Sequence, residues 1–343
     1  MNVLIIGFGA AGKYYYQLLK KNKKVKKIFI YDVDKKIKIK IKKDFTELDK
    51  KKLFEKKITH AIISTPSFLH YKYSKILINL NLNLIIEKPM VLNINNAKKL
   101  IRLSKIHKKK CWVVFQNRCN LAIQKLKTEV SKRKNKIFYV DSKLLWHRDE
   151  KYYKSNWHGK YETDGGVLTN QAIHLIDSII YLFGKIKKFQ SLLRFNKKKL
   201  EAEDFGILNF IHKNNIVSSV VATTRANENY ESSIDVIMEN KRLTISGVSL
   251  NIFNRYQSHL KILEKKNSEI FSNKKGLYGA MGNGHKKILD EFLHEKCKKS
   301  SYDLEINKNL HILEVLHSIY NSYKIEKLKN IKFKQSILGK NEK

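Results

Sequence analysis

Val3-Leu4-Ile5-Ile6-Gly7-Phe8-Gly9-Ala10-Ala11-Gly12 carries an apolar run straight into G-x-G-x-x-G. Four consecutive apolar residues suit a buried strand, and residues 10–20 beyond it are spaced as an amphipathic helix. Strand, glycine-rich turn and helix in this order open a dinucleotide-binding β-α-β unit. Gly7 permits the tight turn, Gly9 lets a pyrophosphate approach the backbone, and Gly12 lets helix and strand pack. Phe8, Ala10 and Ala11 complete the loop. The phosphates would then meet the free N–H groups and the positive dipole end of the helix. Asp32 closes the next apolar run, twenty residues after Gly12. A carboxylate there accepts from both ribose hydroxyls and repels a ribose 2′-phosphate, which favours NAD over NADP. Asp34 is the rival carboxylate, further from the strand end.

Outward from this stretch, apolar runs at 3–6, 28–31, 61–64, 84–86 and 112–115 alternate with helical stretches at 10–20, 68–79 and 95–107. Such alternation predicts a doubly wound parallel α/β sheet. Beyond it, β-like segments at 137–146, 205–212, 216–224, 232–239 and 243–246 follow one another mostly without helices. They predict an α+β unit with an open mixed or antiparallel sheet. Helices are expected at 165–182, 285–295 and 309–323. The division falls near 117–120, which gives an NAD-binding Rossmann domain over 1–118 and a substrate and oligomerisation domain over 119–343.

The chain has 343 residues, 42% of them hydrophobic, enough for two units with cores of their own. No run reaches the ~18 apolar residues of a membrane span. The run at 3–6 is too short for a signal-peptide core and has no basic stretch before it, so it reads as a strand. Cys111, Cys119 and Cys297 are odd in number and show no paired spacing, which fits a reducing, cytoplasmic setting. The net charge of +39 suggests nucleic acid at first sight. Of the 70 basic residues, however, 8 are arginine, leaving 62 lysines spread along the whole chain. Readers of phosphates and bases favour the arginine fork. The abundance of Lys, Ile and Asn points instead to A/T-rich codons, and no nucleic-acid partner is expected. Lysine runs such as 197–199 read as solvated turns.

Ser64-Thr65-Pro66 and Glu87-Lys88-Pro89 occupy carboxyl ends of predicted parallel strands, where the ligand crevice of such a sheet lies. An ammonium at Lys88 can hold a substrate oxygen and stabilise negative charge developing on it. Asn170 and His174 are four apart on one predicted helix and so share a face. A histidine there can take a hydroxyl proton as hydride leaves. Taken singly, each residue has an ordinary reading: Lys88 is one lysine among 62, His174 is flanked by Ile173 and Leu175, and Asn170 can bond to the backbone.

In combination, Ser64-Thr65-Pro66 with His70, Glu87-Lys88-Pro89, and Gly165-Gly166 through Asn170-Gln171-Ala172-Ile173-His174-Leu175-Ile176-Asp177 resemble the glucose–fructose oxidoreductase/inositol dehydrogenase (Gfo/Idh/MocA) family. Residues 313–322 look like the family's last long helix. The resemblance implies a nicotinamide cofactor, sugar or polyol substrates, dimers or tetramers, and a cis bond before Pro89. Through it Ser64, Thr65, Pro66, His70, Glu87, Lys88, Gln116 and Trp157 join the cofactor-binding set. Arg118, Tyr152 and His285 join Lys88, Asn170 and His174 as substrate contacts.

Asparagine at 170, where many members carry aspartate, removes a carboxylate from the expected site. Together with residues 146–149, Tyr152, Tyr153 and Trp157, it resembles the branch that oxidises the C3 hydroxyl of nucleotide-activated amino-sugar acids. That branch usually carries arginine where His158 stands. Cys119 and Leu121 also depart from it, where relatives continue with an aromatic residue and a proline. The expected activity is NAD-dependent oxidation of a ring hydroxyl of such a sugar, for surface polysaccharide, with Lys88, His174 and Asn170 catalytic. The alternatives are an inositol or free-aldose dehydrogenase, a reductase of the same fold, or a sensor that binds dinucleotide without turnover. His294 and Cys297 lack two further ligands, so no metal is expected.

Overall fold

The computed structural model describes residues 1–41, 44–132, 136–154, 157–195, 200–259, 262–270, 284–294 and 296–322. The first unit runs β1 (Asn2–Ile6), α1 (Ala10–Lys20), β2 (Lys27–Tyr31), α2 (Lys35–Lys40), α3 (Lys50–Glu55), β3 (Ile58–Ile63), α4 (His70–Asn79), β4 (Asn83–Ile86), α5 (Ile94–Ile106) and β5 (Cys111–Val113). Its five strands are parallel, in the order β2-β1-β3-β4-β5. Val3 through Ile6, Leu84 through Ile86 and Trp112 through Val114 are fully enclosed. Helices cover both faces of such a sheet, which is why these strands read as unbroken apolar runs. The strand order reverses between β1 and β3, and this places the ligand crevice at their carboxyl ends. Gly7 leaves β1 and Ser64 leaves β3 at that point.

The second unit runs α6 (Leu121–Val130), β6 (Ile137–Leu145), α7 (Glu150–Tyr153), α8 (Val167–Asn170), α9 (Ile173–Phe183), β7 (Ile186–Arg194), β8 (Phe205–His212), β9 (Val217–Thr223), β10 (Glu231–Met238), β11 (Lys241–Ser246), β12 (Ile252–His259), β13 (Ile262–Ile270), α10 (Gly284–Phe292) and α11 (Leu310–Ser322). Among the described residues its eight strands form one mixed sheet, β13-β12-β11-β10-β6-β9-β8-β7, in which only β6 and β9 pair in parallel. Here the pattern alternates: Val140, Ser142 and Leu144 of β6 are buried, as are Leu208 and Phe210 of β8. One face of this sheet therefore carries the core beneath α6, α8 and α9.

Three strands lie outside the sequence-predicted set. In β7, Lys187-Lys188 interrupts the alternation, and the register with β8 slips between Ile186 and Lys188. A bulge of this kind hides a strand from period-two reading. β12 and β13 are polar in sequence. Residues 165–182, expected as one helix, are split. The Ala172 N–H bonds back five residues to the Val167 carbonyl at 2.7 Å, and the Leu175 and Ile176 N–H groups both return to the Ala172 carbonyl. Widened turns of this type interrupt helices at functional sites. The helices expected at 285–295 and 309–323 span Gly284–Phe292 and Leu310–Ser322; Glu295, Tyr323 and the lysine run 197–199 lie outside the described residues.

The chain crosses between the sheets at a 3-10 turn, Gln116–Cys119. We propose that the two units divide there, although the C-terminal part returns to the first. Trp112 bridges to Glu305 in antiparallel fashion, covering the β5 edge, and Asn22 donates to Asp290 at 2.9 Å. Arg118, expected as a substrate contact, is the staple of this junction. It is 4% exposed. Its guanidinium grips Asp177 of α9 through Nε at 2.9 Å and Nη2 at 2.5 Å, and also donates to Asn309 and the Asp303 carbonyl at 2.7 Å each. With its donors committed and closed from solvent, it holds elements together rather than meeting a ligand. Arg118→Ala leaves Asp177 buried without its cation and is expected to cost about 3–5 kcal/mol. Urea unfolding measures this; a loss below about 1 kcal/mol would reassign the residue.

Candidate active site

The glycine loop is built by close contacts. Gly7 adopts φ +88°, which favours glycine, and a Cβ at Gly12 would lie 2.0 Å from the Gly7 carbonyl oxygen. A Cβ at Gly9 would meet nothing within 4 Å. The loop therefore opens a cradle beside Gly9, and no side chain caps the N-terminus of α1 there. Uncapped N–H groups facing an open cradle suit a pyrophosphate. Asp32 accepts from the Phe8 N–H at 2.7 Å through Oδ2 and from the Asp34 N–H at 2.9 Å through Oδ1. Asp34 is engaged elsewhere, capping α2 through the Lys36 N–H at 2.8 Å.

Opposite, Ser64 Oγ donates to the Gly7 carbonyl at 2.9 Å, and Thr65 Oγ1 is buried without a partner among the described residues. Pro66 leads the short turn that follows. His70 is 1% exposed, with Nδ1 2.8 Å from the Pro89 carbonyl and Nε2 2.9 Å from that of Thr65. It sits between the Thr65 and Pro89 carbonyls, and the ring nitrogen that carries the proton donates to one of them. It is thus a support for the cofactor loops rather than a contact at their surface.

The Lys88–Pro89 peptide is cis. Glu87 accepts from Tyr15 Oη at 2.7 Å, and burial pushes its carboxyl pKa up. His285 is 2% exposed, packs edge-on to Tyr14 and Tyr15, and has Nε2 3.9 Å from Glu87. Burial pushes its pKa down to about 4. The fold thus brings His285 to the inner wall of the site, behind Glu87.

Lys88 Nζ donates to the Asn170 carbonyl at 2.6 Å and to Asn170 Oδ1 at 3.2 Å. Burial lowers the lysine pKa, while Glu87 and Asp164 oppose that shift. Asn170 ends α8 and His174 sits in α9, so the two do not share the face of one continuous helix. Asn170 turns to Lys88, Tyr152 and Asp164. The His174 ring lies edge-on to Phe115 and lines a cleft with Gln116, Trp146, Gln171 and Leu250. Its Nδ1 is buried without a partner among the described residues, leaving Nε2 for a ligand. Burial first, then Lys88 and His285, hold its pKa well below the usual histidine value.

Tyr152 Oη accepts from Asn170 Nδ2 at 2.9 Å and from Gln171 Nε2 at 3.1 Å, and burial raises the phenol pKa. The ring stacks on His158 at 4.1 Å, and Trp157 lies tilted against the same imidazole at 3.7 Å. Asp164 is absent from the sequence-predicted set, because an acid beside Gly165-Gly166 reads as a turn residue. It is 4% exposed, and its Oδ2 lies 2.9 Å from Asn170 Nδ2. A buried carboxylate therefore lies against Asn170 from position 164. Among the described residues no cluster of three or more His, Cys, Asp or Glu could hold a metal ion. No described helix is long and apolar enough to cross a membrane.

Residues 1–115 match the family model described as an oxidoreductase family with an NAD-binding Rossmann fold, and residues 131–244 match the GFO/IDH/MocA C-terminal domain. The chain belongs to the Gfo/Idh/MocA family. It carries that family's NAD-binding Rossmann domain and is an NAD-binding oxidoreductase. The fold is similar to the WlbA dehydrogenase from Bordetella pertussis, solved in complex with NADH and UDP-GlcNAcA. That likeness has TM-score 0.79 and 21% identity, over 94% of this chain and 96% of that one. It is also similar to the UDP-N-acetylglucosamine 3-dehydrogenase GnnA from Acidithiobacillus ferrooxidans, with TM-score 0.75 and 13% identity over 95% and 98% of the two chains. In sequence it is 27% identical over 149 residues to the NADP(+)-dependent scyllo-inositol 2-dehydrogenase IolW of Bacillus subtilis (strain 168). That alignment spans 42% of this chain and 40% of the relative.

The Gfo/Idh/MocA cradle fits NAD through the open Gly9 position and the uncapped α1 terminus. With Asp32 as the carboxylate that would meet the ribose, NAD is expected to bind at least about tenfold tighter than NADP, ~1.4 kcal/mol. Asp32→Ala should narrow that ratio. Equal titration of both dinucleotides by the unmodified protein would remove the assignment.

Proposed function

We propose that this chain oxidises a secondary ring hydroxyl, at C3, of a nucleotide-activated amino-sugar acid used for surface polysaccharide. The observation that carries this reading is the convergence of a buried ammonium, Lys88, with an imidazole, His174, that its surroundings keep neutral. Bound NAD supplies the hydride acceptor. Lys88 Nζ holds the substrate oxygen and stabilises the charge that develops as its proton departs. His174 Nε2 takes that proton, since Nδ1 is enclosed. Asn170 anchors Lys88 and orients it toward the substrate. Tyr152 is an unsuitable alternative base, because burial favours its protonated form. Ser64, Thr65, Gln116 and Trp157 border the crevice as cofactor residues. Trp146 and Gln171, beside His174, are added as substrate-cleft residues.

The two dehydrogenases of similar fold support the nucleotide-sugar choice, since one is solved with UDP-GlcNAcA and the other acts on UDP-N-acetylglucosamine. The inositol dehydrogenase relative keeps a free polyol as the second reading. NADH formation across uridine-diphosphate sugars and free polyols separates them. Activity is expected with the former, and a faster rate with an inositol would overturn the choice. Oxidation needs neutral His174 and protonated Lys88. Both pKa values are lowered, so the acidic limb of the rate profile is expected below pH 6.5 and the alkaline limb below 10.5. His174→Asn should lower the single-turnover rate about 100-fold or more and abolish the acidic limb. Retention of both would assign the base to another group.

For self-association, as a homodimer or homotetramer, we propose the outer face of the second sheet. Ile237, Tyr139, Val217 and Ile211 form a cross-strand row over β10, β6, β9 and β8, and the last three are exposed. Sedimentation should show a dimer or tetramer that Tyr139→Lys weakens. A monomer at micromolar concentration would remove the proposal.

A further inference from the structure

His158 and Asn170 meet at one carboxylate. Asp164 Oδ2 accepts from His158 Nδ1 at 2.9 Å, from Asn170 Nδ2 at 2.9 Å and from the Gly159 N–H at 3.2 Å. The residue is 4% exposed and is anchored by its own N–H to the Lys160 carbonyl at 3.0 Å. Asn170 then presents Oδ1 to Lys88 Nζ at 3.2 Å. His158, Asp164, Asn170 and Lys88 thus form one continuous hydrogen-bonded line from the second unit into the first.

The chemistry of the partners orders this line. An ionised carboxylate only accepts, so the end of the Asn170 amide that faces it must be the NH₂ group. The carbonyl end must then face the opposite way, toward the ammonium. With a neutral amide in place of Asp164, either amide orientation would be satisfied at that end, and the flipped one would turn two N–H donors toward Lys88. A buried ammonium also needs negative charge nearby. Glu87 and Asp164 favour the charged form of Lys88 and Arg148 opposes it, while burial favours the neutral forms of His70 and His174.

We propose that Asp164 is a positioning residue: it locks the Asn170 amide with Oδ1 toward Lys88, and supplies at one remove the negative charge the ammonium requires, with His158 as its donor partner. This rests on the reading of Lys88 as the ammonium of the active site. One carboxylate thus joins His158 on one side to the Asn170 amide and Lys88 on the other.

The test reads Lys88 directly and needs no substrate. The rate of acetylation of Lys88 is followed against pH by competitive labelling and peptide mass spectrometry, in the protein free of dinucleotide. Asp164→Asn is expected to move the Lys88 midpoint down by about one pH unit. In the NADH-forming assay the alkaline limb should move with it and kcat fall about tenfold, while the dissociation constant for NAD stays unchanged. His158→Arg should keep the wild-type midpoint, because a guanidinium still donates to Asp164. The exchange Asn170→Asp with Asp164→Asn returns a carboxylate to the line. It should restore a midpoint at or above that of the wild type, whether or not Asp164→Asn alone folds well. An unchanged Lys88 midpoint in folded Asp164→Asn, or an exchange variant whose midpoint stays about one unit below wild type, overturns the proposal. Absence of NADH formation by the wild type with every sugar tested would instead count against the dehydrogenase reading and leave the Lys88 titration legible.

Discussion

The contact between Lys88 and Asn170 joins the two halves of this molecule at the place where their chemistry meets. Lys88 comes from the end of a parallel strand in the first sheet; Asn170 comes from the end of a four-residue helix under the second. The ammonium has left bulk water and needs acceptors, and Asn170 offers both its backbone carbonyl and its side-chain oxygen. Those acceptors are available in this direction because the helix is interrupted after Asn170. The same interruption turns His174 toward the cleft, away from the Asn170 network.

Around this contact the structure assigns rigid supports to residues that look chemically active in isolation. Arg118 and Asp177 are nearly solvent-free and hold α9 to the inter-sheet turn. His70 spans the Thr65 and Pro89 loops. Beneath α8, Glu203 accepts from the Leu168 N–H at 2.9 Å and from Tyr320 Oη at 2.8 Å, and burial pushes its carboxyl pKa up to about 7. Most buried polar groups are held by hydrogen-bond partners. Each of these groups therefore spends its hydrogen bonds on holding a loop or a helix end, which leaves Lys88, His174 and the Asn170 line as the groups that meet the crevice.

The electrostatic logic of the site is local and independent of the chain's large positive charge. Lysines distributed over the surface are screened within about 10 Å at ordinary ionic strength. Inside, a small set of groups decides the protonation states. Burial alone favours a neutral amine at Lys88, and two carboxylates counter it. Burial and the neighbouring ammonium act together on His174, and both favour the neutral imidazole. An ammonium to stabilise a developing oxyanion and an uncharged base to take the proton is the arrangement that the proposed hydroxyl oxidation uses.

The sequence by itself determined the elements whose pattern is carried by side-chain chemistry alone. The parallel strands of the first unit are buried on both faces and announce themselves as apolar runs. Gly7, Gly9 and Gly12 announce a turn that a Cβ would obstruct at Gly7 and Gly12 and an opening at Gly9. Asp32 and the Glu87-Lys88-Pro89 segment are likewise legible because they sit at fixed places beside strand ends. Only the tertiary structure decided the rest. β7 escaped because a register slip at two lysines breaks its alternation. The helix through residues 165–182 was read as continuous because its composition has no proline or internal glycine to mark the break, and the break is made by a hydrogen-bond shift rather than a residue type. Arg118 was taken as a substrate contact because a sequence shows a polar group but not the partners that enclose it. Asp164 was passed over for the same reason: a carboxylate becomes part of a site only when folding brings Asn170, His158 and Lys88 around it, and that convergence joins residues from both sheets.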